Sequence, residues 1–262
     1  MIQGLDSKVI IITGAGSGIG LSTATAFLSA GARVIAGDIN LSQLLSLPVN
    51  DKLVPCEFDV CNLDNINEVV KNVIERYGSI DVLVNNAASV QPRKGFLDVK
   101  DEDWHTTIDI NLLGYIRMAR AVLPYMQSRK RGVLLHIASE AALMPNMNLP
   151  DYSILKSAVL SLSKVISREF GKDGIRSNVV SPAFVRTAVY DKSGGLGDEL
   201  ERKYKIGREE AIQRYTEDVG VAVGRLGKPD EVASLLLFLA SDAAAFITGA
   251  NYLVDGGVTP FI

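Results

Sequence analysis

Seven short apolar runs, each separated from the next by an amphipathic or polar stretch, restrict what this chain can fold into more than any other feature. They are Val9-Ile10-Ile11-Ile12, Arg33-Val34-Ile35-Ala36, Leu53-Val54-Pro55-Cys56-Glu57-Phe58, Val82-Leu83-Val84, Val133-Leu134-Leu135-His136-Ile137, Ser177-Asn178-Val179-Val180 and Asn251-Tyr252-Leu253-Val254. A strand with one wet face alternates apolar and polar residues, whereas a continuous apolar run is covered on both faces. Between these runs, segments 21–30, 63–77, 102–128, 152–170 and 230–240 carry helical periodicity, and Gly31, Gly78 and Gly132 stand where helices should stop. The alternation predicts an α/β chain, a doubly wound seven-stranded parallel sheet with helices on both faces.

The bulk numbers agree and exclude several classes. A length of 262 residues fits one domain spanning 1–262, since α/β folds reach about 250 residues as a single unit. The net charge of −3 gives no attraction to nucleic acid or anionic lipid, and the short basic run Arg129-Lys130-Arg131 reads as a solvated helix end. No apolar run approaches the ~20 residues of a membrane helix. Met1 to Ser7 have neither the cationic start nor the apolar core of a signal peptide. Cys56 and Cys61 flank Asp59 without forming a Cys-x-x-Cys, and read as inert thiols in a reducing compartment. His105 and His136 belong to no ligand cluster, so no metal site is expected and the cytoplasm is the expected location.

Chemistry enters at the first turn. Gly14, Gly18 and Gly20 follow the first strand and open the first helix, where backbone without Cβ atoms can approach a pyrophosphate and the helix N-terminus offers unpaired N–H groups. The spacing is Gly-x-x-x-Gly-x-Gly rather than Gly-x-Gly-x-x-Gly, so its weight comes from context: strand before, helix after, and Asp38 closing the second strand. That arrangement is of Rossmann type. A carboxylate at Asp38 can accept the adenosine ribose hydroxyls and would repel a 2′-phosphate, which selects NAD. Arg33 begins that strand instead of ending it, so it is not expected to offset the repulsion.

Downstream, Ser139 precedes Tyr152 and Lys156, which sit four residues apart on one helix face. A free phenol with a pKa near 10 is a poor base, and lowering it by ~3 units requires about 4 kcal/mol of preferential stabilisation. The ammonium of Lys156 supplies charge within reach, and the Ser139 hydroxyl can hold the substrate oxygen. Together these groups predict reversible oxidation of an alcohol to a carbonyl, with Tyr152 moving the proton. His136 lies on a strand and reads as a core residue.

With these residues together, the chain resembles the short-chain dehydrogenase/reductase family, in its branch of about 250 residues. The resemblance covers essentially the whole chain. It implies a cofactor loop of Gly14, Ser17, Gly18, Ile19 and Gly20, a ribose and adenine side of Asp38, Ile39, Asp59 and Val60, and a central segment Asn85-Asn86-Ala87 beside the cofactor. It also implies a catalytic set of Asn111, Ser139, Tyr152 and Lys156, with Asn111 holding a water that connects Lys156 to solvent. Asn178, Pro182, Val185 and Thr187 would close over the nicotinamide, and Tyr152 and Lys156 would also touch the cofactor. Two departures, Ala88 and Ala183 where glycine is usual, alter the pocket's shape, and Glu140 after Ser139 is unusual.

Substrate is expected to meet Ser139, Met144, Asn146, Tyr152, Ala183 and Phe184, with Val90, Gln91 and Tyr190 as further candidates. The apolar run 141–149 suits a medium-sized, weakly polar secondary alcohol or ketone. The enzymatic rival is a 3-oxoacyl-(acyl carrier protein) reductase, its acidic carrier docked by Arg129, Lys130 and Lys172. A non-catalytic NAD-binding sensor or scaffold is the alternative of another class. Segment 185–224 breaks the strand–helix rhythm with Ser193-Gly194-Gly195-Leu196-Gly197 and reads as a substrate lid with glycine hinges, Tyr204 or Ile206 facing the pocket. The resemblance implies a homotetramer or homodimer that pairs the helices over 102–128 and 152–170, with Ala158, Val159 and Leu162 as apolar contacts.

Overall fold

Every apolar run forms a strand: β1 (Val9–Thr13), β2 (Arg33–Asp38), β3 (Leu53–Glu57), β4 (Val82–Asn85), β5 (Gly132–Ile137), β6 (Ile175–Pro182) and β7 (Asn251–Val254). In the computed structural model, which describes residues 4–48 and 50–260, the strands form one sheet in the order β3-β2-β1-β4-β5-β6-β7. All pairings are parallel. Of the N-terminal segment read for targeting, Met1 to Gln3 lie outside the described residues.

The connections are α1 (Gly18–Ser29), α2 (Ser42–Leu45), α3 (Leu63–Tyr77), α4 (Asp101–Ile108), α5 (Gly114–Ser128), α6 (Pro150–Phe170), α7 (Ala188–Asp191), α8 (Leu196–Tyr204), α9 (Arg208–Asp218) and α10 (Pro229–Ala240). Successive strand residues face opposite sides. Ile10 and Ile12 join Phe27 of α1 and Leu236 of α10 in one core, whereas Val9 and Ile11 join Val70 of α3, Val122 of α5 and Ile166 of α6 in another. This two-faced burial is why the strands read as unbroken apolar runs. The fold is a seven-stranded parallel Rossmann-like sheet. The chain winds outward from β1 to β3, then returns to β4 on the other side of β1, leaving a crevice at the carboxyl ends where β1 and β4 part.

Local signals fix the ends of several helices. The Asn62 side chain accepts the Asn65 N–H at 3.0 Å at the start of α3, and Gly78 ends it in a left-handed conformation, φ 74°. Pro150 opens α6. The single helix expected over 102–128 is instead interrupted between α4 and α5 by one π-helical turn, Asp109–Leu113. Apolar spacing does not distinguish a four- from a five-residue turn over so short a stretch, so the interruption leaves no mark on the pattern.

Segment 185–224 holds three helices, α7 to α9, around a small core of their own formed by Tyr190, Leu200, Ala211 and Ile212 with Leu226. Arg186 binds Glu209 at 2.7 Å and Asp191 at 2.8 Å, and Arg208 binds Asp198. Gly197 is needed here for close approach, since a Cβ would overlap the carbonyl oxygen of Tyr190 where α8 meets α7.

Candidate active site

A cavity of about 890 Å³ opens at the carboxyl ends of the strands and collects most of the residues singled out in the sequence. Its inner wall is the turn from β1 into α1. Gly14 adopts φ 65°, and a Cβ there would lie 2.7 Å from the Ala87 Cα. Gly20 does not line the cavity; it packs beneath the turn, where a Cβ would overlap the Gly14 carbonyl oxygen. Asn86 secures the turn by donating from Nδ2 to the carbonyls of Thr13 at 3.0 Å and Gly14 at 2.9 Å. Ser17 at the start of α1 makes no side-chain capping bond, so the first N–H groups of the helix are left for an anion in the cavity.

Asp38 stands at the rim. One carboxylate oxygen accepts the Gly16 N–H at 2.7 Å and the other the Asn40 N–H at 2.9 Å, which aims the group while leaving lone pairs on both oxygens. Ile39, Asp59 and Val60 continue this side of the wall. Arg33 is engaged elsewhere, its guanidinium 4.5 Å from the Tyr77 ring centroid at the far end of β2. Among the described residues Lys156 is the only lysine or arginine lining the cavity, and it lies with Ser139 and Tyr152 rather than beside Asp38. The glycine turn, the open helix terminus and Asp38 together fit a dinucleotide.

At the opposite end, Ser139 follows β5 while Tyr152 and Lys156 project from the first turns of α6. Lys156 is fully buried, and Nζ donates to the Ile137 carbonyl at 2.8 Å and to the Tyr115 hydroxyl at 3.2 Å. Burial lowers its pKa to about 7, with no carboxylate among the described residues offsetting it. Burial, then the nearby Glu140 carboxylate, pushes the Tyr152 phenol up. The ligand-free site therefore holds Tyr152 neutral. His136 is a core residue: its ring meets Asn85 Nδ2 at 3.1 Å and Ser177 Oγ at 3.3 Å, and burial with Lys156 nearby lowers its pKa to about 3.

Several expected residues sit elsewhere. Asn111 occupies the π-turn, fully buried and off the cavity wall, donating from Nδ2 to the carbonyls of Ser89 at 2.9 Å and Thr107 at 3.2 Å. Its side-chain amide is thus committed to backbone, with Oδ1 also accepting the Ser89 N–H at 3.3 Å. Asn178 ties β6 to the β7 approach through Ile247 and Ala250 and does not reach the cavity. Met144 and Gln91 are also off the wall, whereas Asn146, Ala183, Phe184, Val90 and Tyr190 line it. Tyr204 and Ile206 pack within the α7–α9 core, the Tyr204 hydroxyl donating to Asp218 at 2.7 Å; Tyr190, Leu196 and Tyr215 face the cavity in their place. Phe184 adopts φ 50° and stands edge-on to Tyr215, with centroids 5.7 Å apart.

The 3-oxoacyl-[acyl-carrier-protein] reductase FabG of Thermotoga maritima is 37% identical to this chain, over 97% of it and 98% of the relative. A family model described as enoyl-(acyl carrier protein) reductase matches residues 14–259. The chain belongs to the short-chain dehydrogenase/reductase family. Among solved members, L-sorbose reductase from Gluconobacter frateurii, complexed with NADPH and L-sorbose, superposes with a TM-score of 0.91 at 28% identity over 100% of both chains. A 3-ketoacyl-(acyl-carrier-protein) reductase from Brucella melitensis, complexed with NADH, gives 0.84 at 27% identity over 98% of this chain and 100% of the other. This short-chain dehydrogenase/reductase is thus an oxidoreductase of a family that uses nicotinamide cofactors.

Within that family frame, the residues missed from sequence are informative. Tyr115 anchors Lys156, and the only hint was its place four residues after Asn111. Arg93 pins the loop after β4 to the start of α6, bonding Asp103 at 3.0 Å and Asp151 at 3.2 Å, one residue before Tyr152. The cysteines are free, burial first and then neighbouring acids raising both thiols, Cys61 to about 12. Arg129, Lys130 and Lys172 precede the first residues of β5 and β6, a strand length of roughly 20 Å from the cavity at the other end. Val159 faces the chain's own interior, while Ile154 and Val165, 50% and 58% exposed, form the outward apolar face of α6. Among the described residues no group of His, Cys, Asp and Glu is placed to hold a metal, and no helix is long and apolar enough to cross a membrane.

Proposed function

We propose that this enzyme interconverts a secondary alcohol and a ketone with NAD, Tyr152 serving as acid and base. The observation that carries the reading is that Ser139, Tyr152 and Lys156 share one cavity with the glycine turn and Asp38. A bound nicotinamide supplies the hydride acceptor or donor. Ser139 holds the reacting oxygen, Tyr152 takes the hydroxyl proton during oxidation and returns it during reduction, and Lys156 favours the phenolate. The phenol's raised pKa in the ligand-free site means that its ionisation depends on positive charge arriving with the oxidised cofactor and on Lys156 being protonated.

NAD is favoured over NADP because Asp38 and Asp59 line the adenosine side and, among the described residues, no lysine or arginine lines the cavity with them. Segment 185–224 is read as a lid, since Val189, Tyr190, Leu196 and Tyr215 from it line the cavity beside Thr187. The outward apolar face of α6 supports a homotetramer or homodimer, and the unpaired thiols suit the cytoplasm. A second reading, 3-oxoacyl-carrier reduction, is supported by the 37% identical relative.

The test is an assay of purified protein with both cofactors against secondary alcohols, ketones and acetoacetyl-coenzyme A. Turnover of alcohols with NAD is expected, and Tyr152→Phe should lower it by ~10²–10⁴ while NADH still binds. Preferential reduction of acetoacetyl-coenzyme A would establish the second reading. Cofactor binding without turnover of any substrate would leave a non-catalytic sensor.

A further inference from the structure

Glu140 has no place in the mechanism above, yet it lines the reacting end of the cavity. It follows Ser139 at the foot of a short 3₁₀ turn, Glu140–Ala142. The Ser139 hydroxyl donates to Glu140 Oε2 at 2.5 Å, the short end of hydrogen bonds to a carboxylate. Ser139 Oγ also accepts the Ala141 N–H at 3.2 Å. A serine has one proton, so in this arrangement it can offer a substrate oxygen no donor at all. Among the described residues no lysine or arginine pairs with Glu140. A carboxyl with no cationic partner, bonded by the Ser139 hydroxyl and by the backbone N–H groups of Glu140 and Ala141, is therefore held beside the group that must polarise the substrate. Its oxygens keep lone pairs that can accept a hydroxyl from whatever fills the cavity.

We propose that Glu140 binds a second hydroxyl, on the carbon adjacent to the reacting one, and that the enzyme selects vicinal diols and their polyol relatives. The inference rests on the secondary-alcohol reading above. Ser139 Oγ and Glu140 Oε2 lie 2.5 Å apart, close enough for hydroxyls on neighbouring carbons to meet one each. The second hydroxyl donates to Glu140 and competes with Ser139 for the carboxylate, which releases the serine proton for the reacting oxygen. A diol then loses hydride from one carbinol carbon to NAD and that carbinol's proton to Tyr152, leaving a hydroxyketone with its second hydroxyl unchanged. A plain alcohol leaves Ser139 bound to Glu140. A 3-oxoacyl chain presents methylene and carbonyl groups there, with no donor for the carboxylate.

The experiment compares 2,3-butanediol with 2-butanol, under NAD, in the native enzyme, Glu140→Ala and Glu140→Gln. The native enzyme should favour the diol in kcat/KM by about 10- to 150-fold, the range of one hydrogen bond to a charged group. In Glu140→Ala the two substrates should cross: diol turnover falls by a similar factor, while 2-butanol turnover rises because Ser139 regains its proton. Glu140→Gln should also raise 2-butanol turnover and keep part of the diol preference through its amide oxygen. NADH binding by fluorescence checks that each variant is folded. An equal fall for both substrates in folded variants would make Glu140 a merely structural residue and overturn the inference. So would a native enzyme that turns over both substrates equally. If the native enzyme oxidises neither, the secondary-alcohol reading fails and takes this inference with it.

Discussion

Lys156 should destabilise the ligand-free protein, and the penalty should depend on pH. Its ordinary pKa of 10.5 falls to about 7 in the fold because burial disfavours the ammonium. That gap corresponds to about 5 kcal/mol. Below pH 7 folded and unfolded chains both carry the proton, and the folded state bears the full penalty. Between 7 and 10.5 the unfolded chain holds more protons, so stability should rise by about 1.4 kcal/mol per pH unit from this group and level off above 10.5. Lys156→Met removes the charge at similar length. It also forfeits the bonds to Ile137 and Tyr115, together about 2 kcal/mol, although the Tyr115 hydroxyl still donates to the Ile137 carbonyl at 3.0 Å. The variant should therefore be inactive yet more stable than the native protein by about 3 kcal/mol at pH 6, an advantage gone by about pH 9 to 10. Urea unfolding of both proteins from pH 6 to 9.5, without cofactor and at one protein concentration, measures the difference. A variant less stable by the same amount at every pH would show that the ammonium is already compensated in the fold, and would refute the account of Lys156.

Asp38→Ala should narrow the preference for NAD over NADP, which repulsion between like charges at ~4 Å sets at roughly five-fold to a thousand-fold. Equal kcat/KM with both cofactors in the native enzyme would contradict the role given to Asp38. Hydrogen exchange across 185–224 should be fastest in the free protein, slower with NAD and slowest with NAD and a substrate analogue, because ordering costs on the order of 1–2 kcal/mol per residue that ligand contacts must offset. The protected base should be Val185, which bridges to Gly227, and identical exchange in all three states would reduce the lid to a surface insertion.

The legible part of the site consists of residues fixed by strand ends and by adjacent turns. Asp38 ends β2, Ser139 follows β5, and Tyr152 and Lys156 are held by helical spacing, so the local pattern alone brings them to the carboxyl edge of the sheet. Segment 141–149 offered no such anchor. An apolar run in a loop does not say which side chains turn inward, and Asn146 and Leu149 do so while Met144 does not. The inward residues of segment 185–224 were hidden for a related reason. Tyr204 and Ile206 were plausible inward residues, but packing among α7, α8 and α9 consumes them in a core of their own.

The sequence by itself determined the sheet, its two-sided covering, the glycine turn and the placement of Ser139, Tyr152 and Lys156, because each depends on periodicity or on neighbours within a few residues. The tertiary structure alone decided three things. The π-turn directs Asn111 into backbone bonds with Ser89, Tyr115 reaches Lys156 across the core, and the Ser139 proton goes to Glu140. Two of these are contacts between elements brought together only by sheet order, and sequence spacing carries no record of such distances. The third joins neighbours, but its geometry depends on the 3₁₀ turn and on burial that removes competing water.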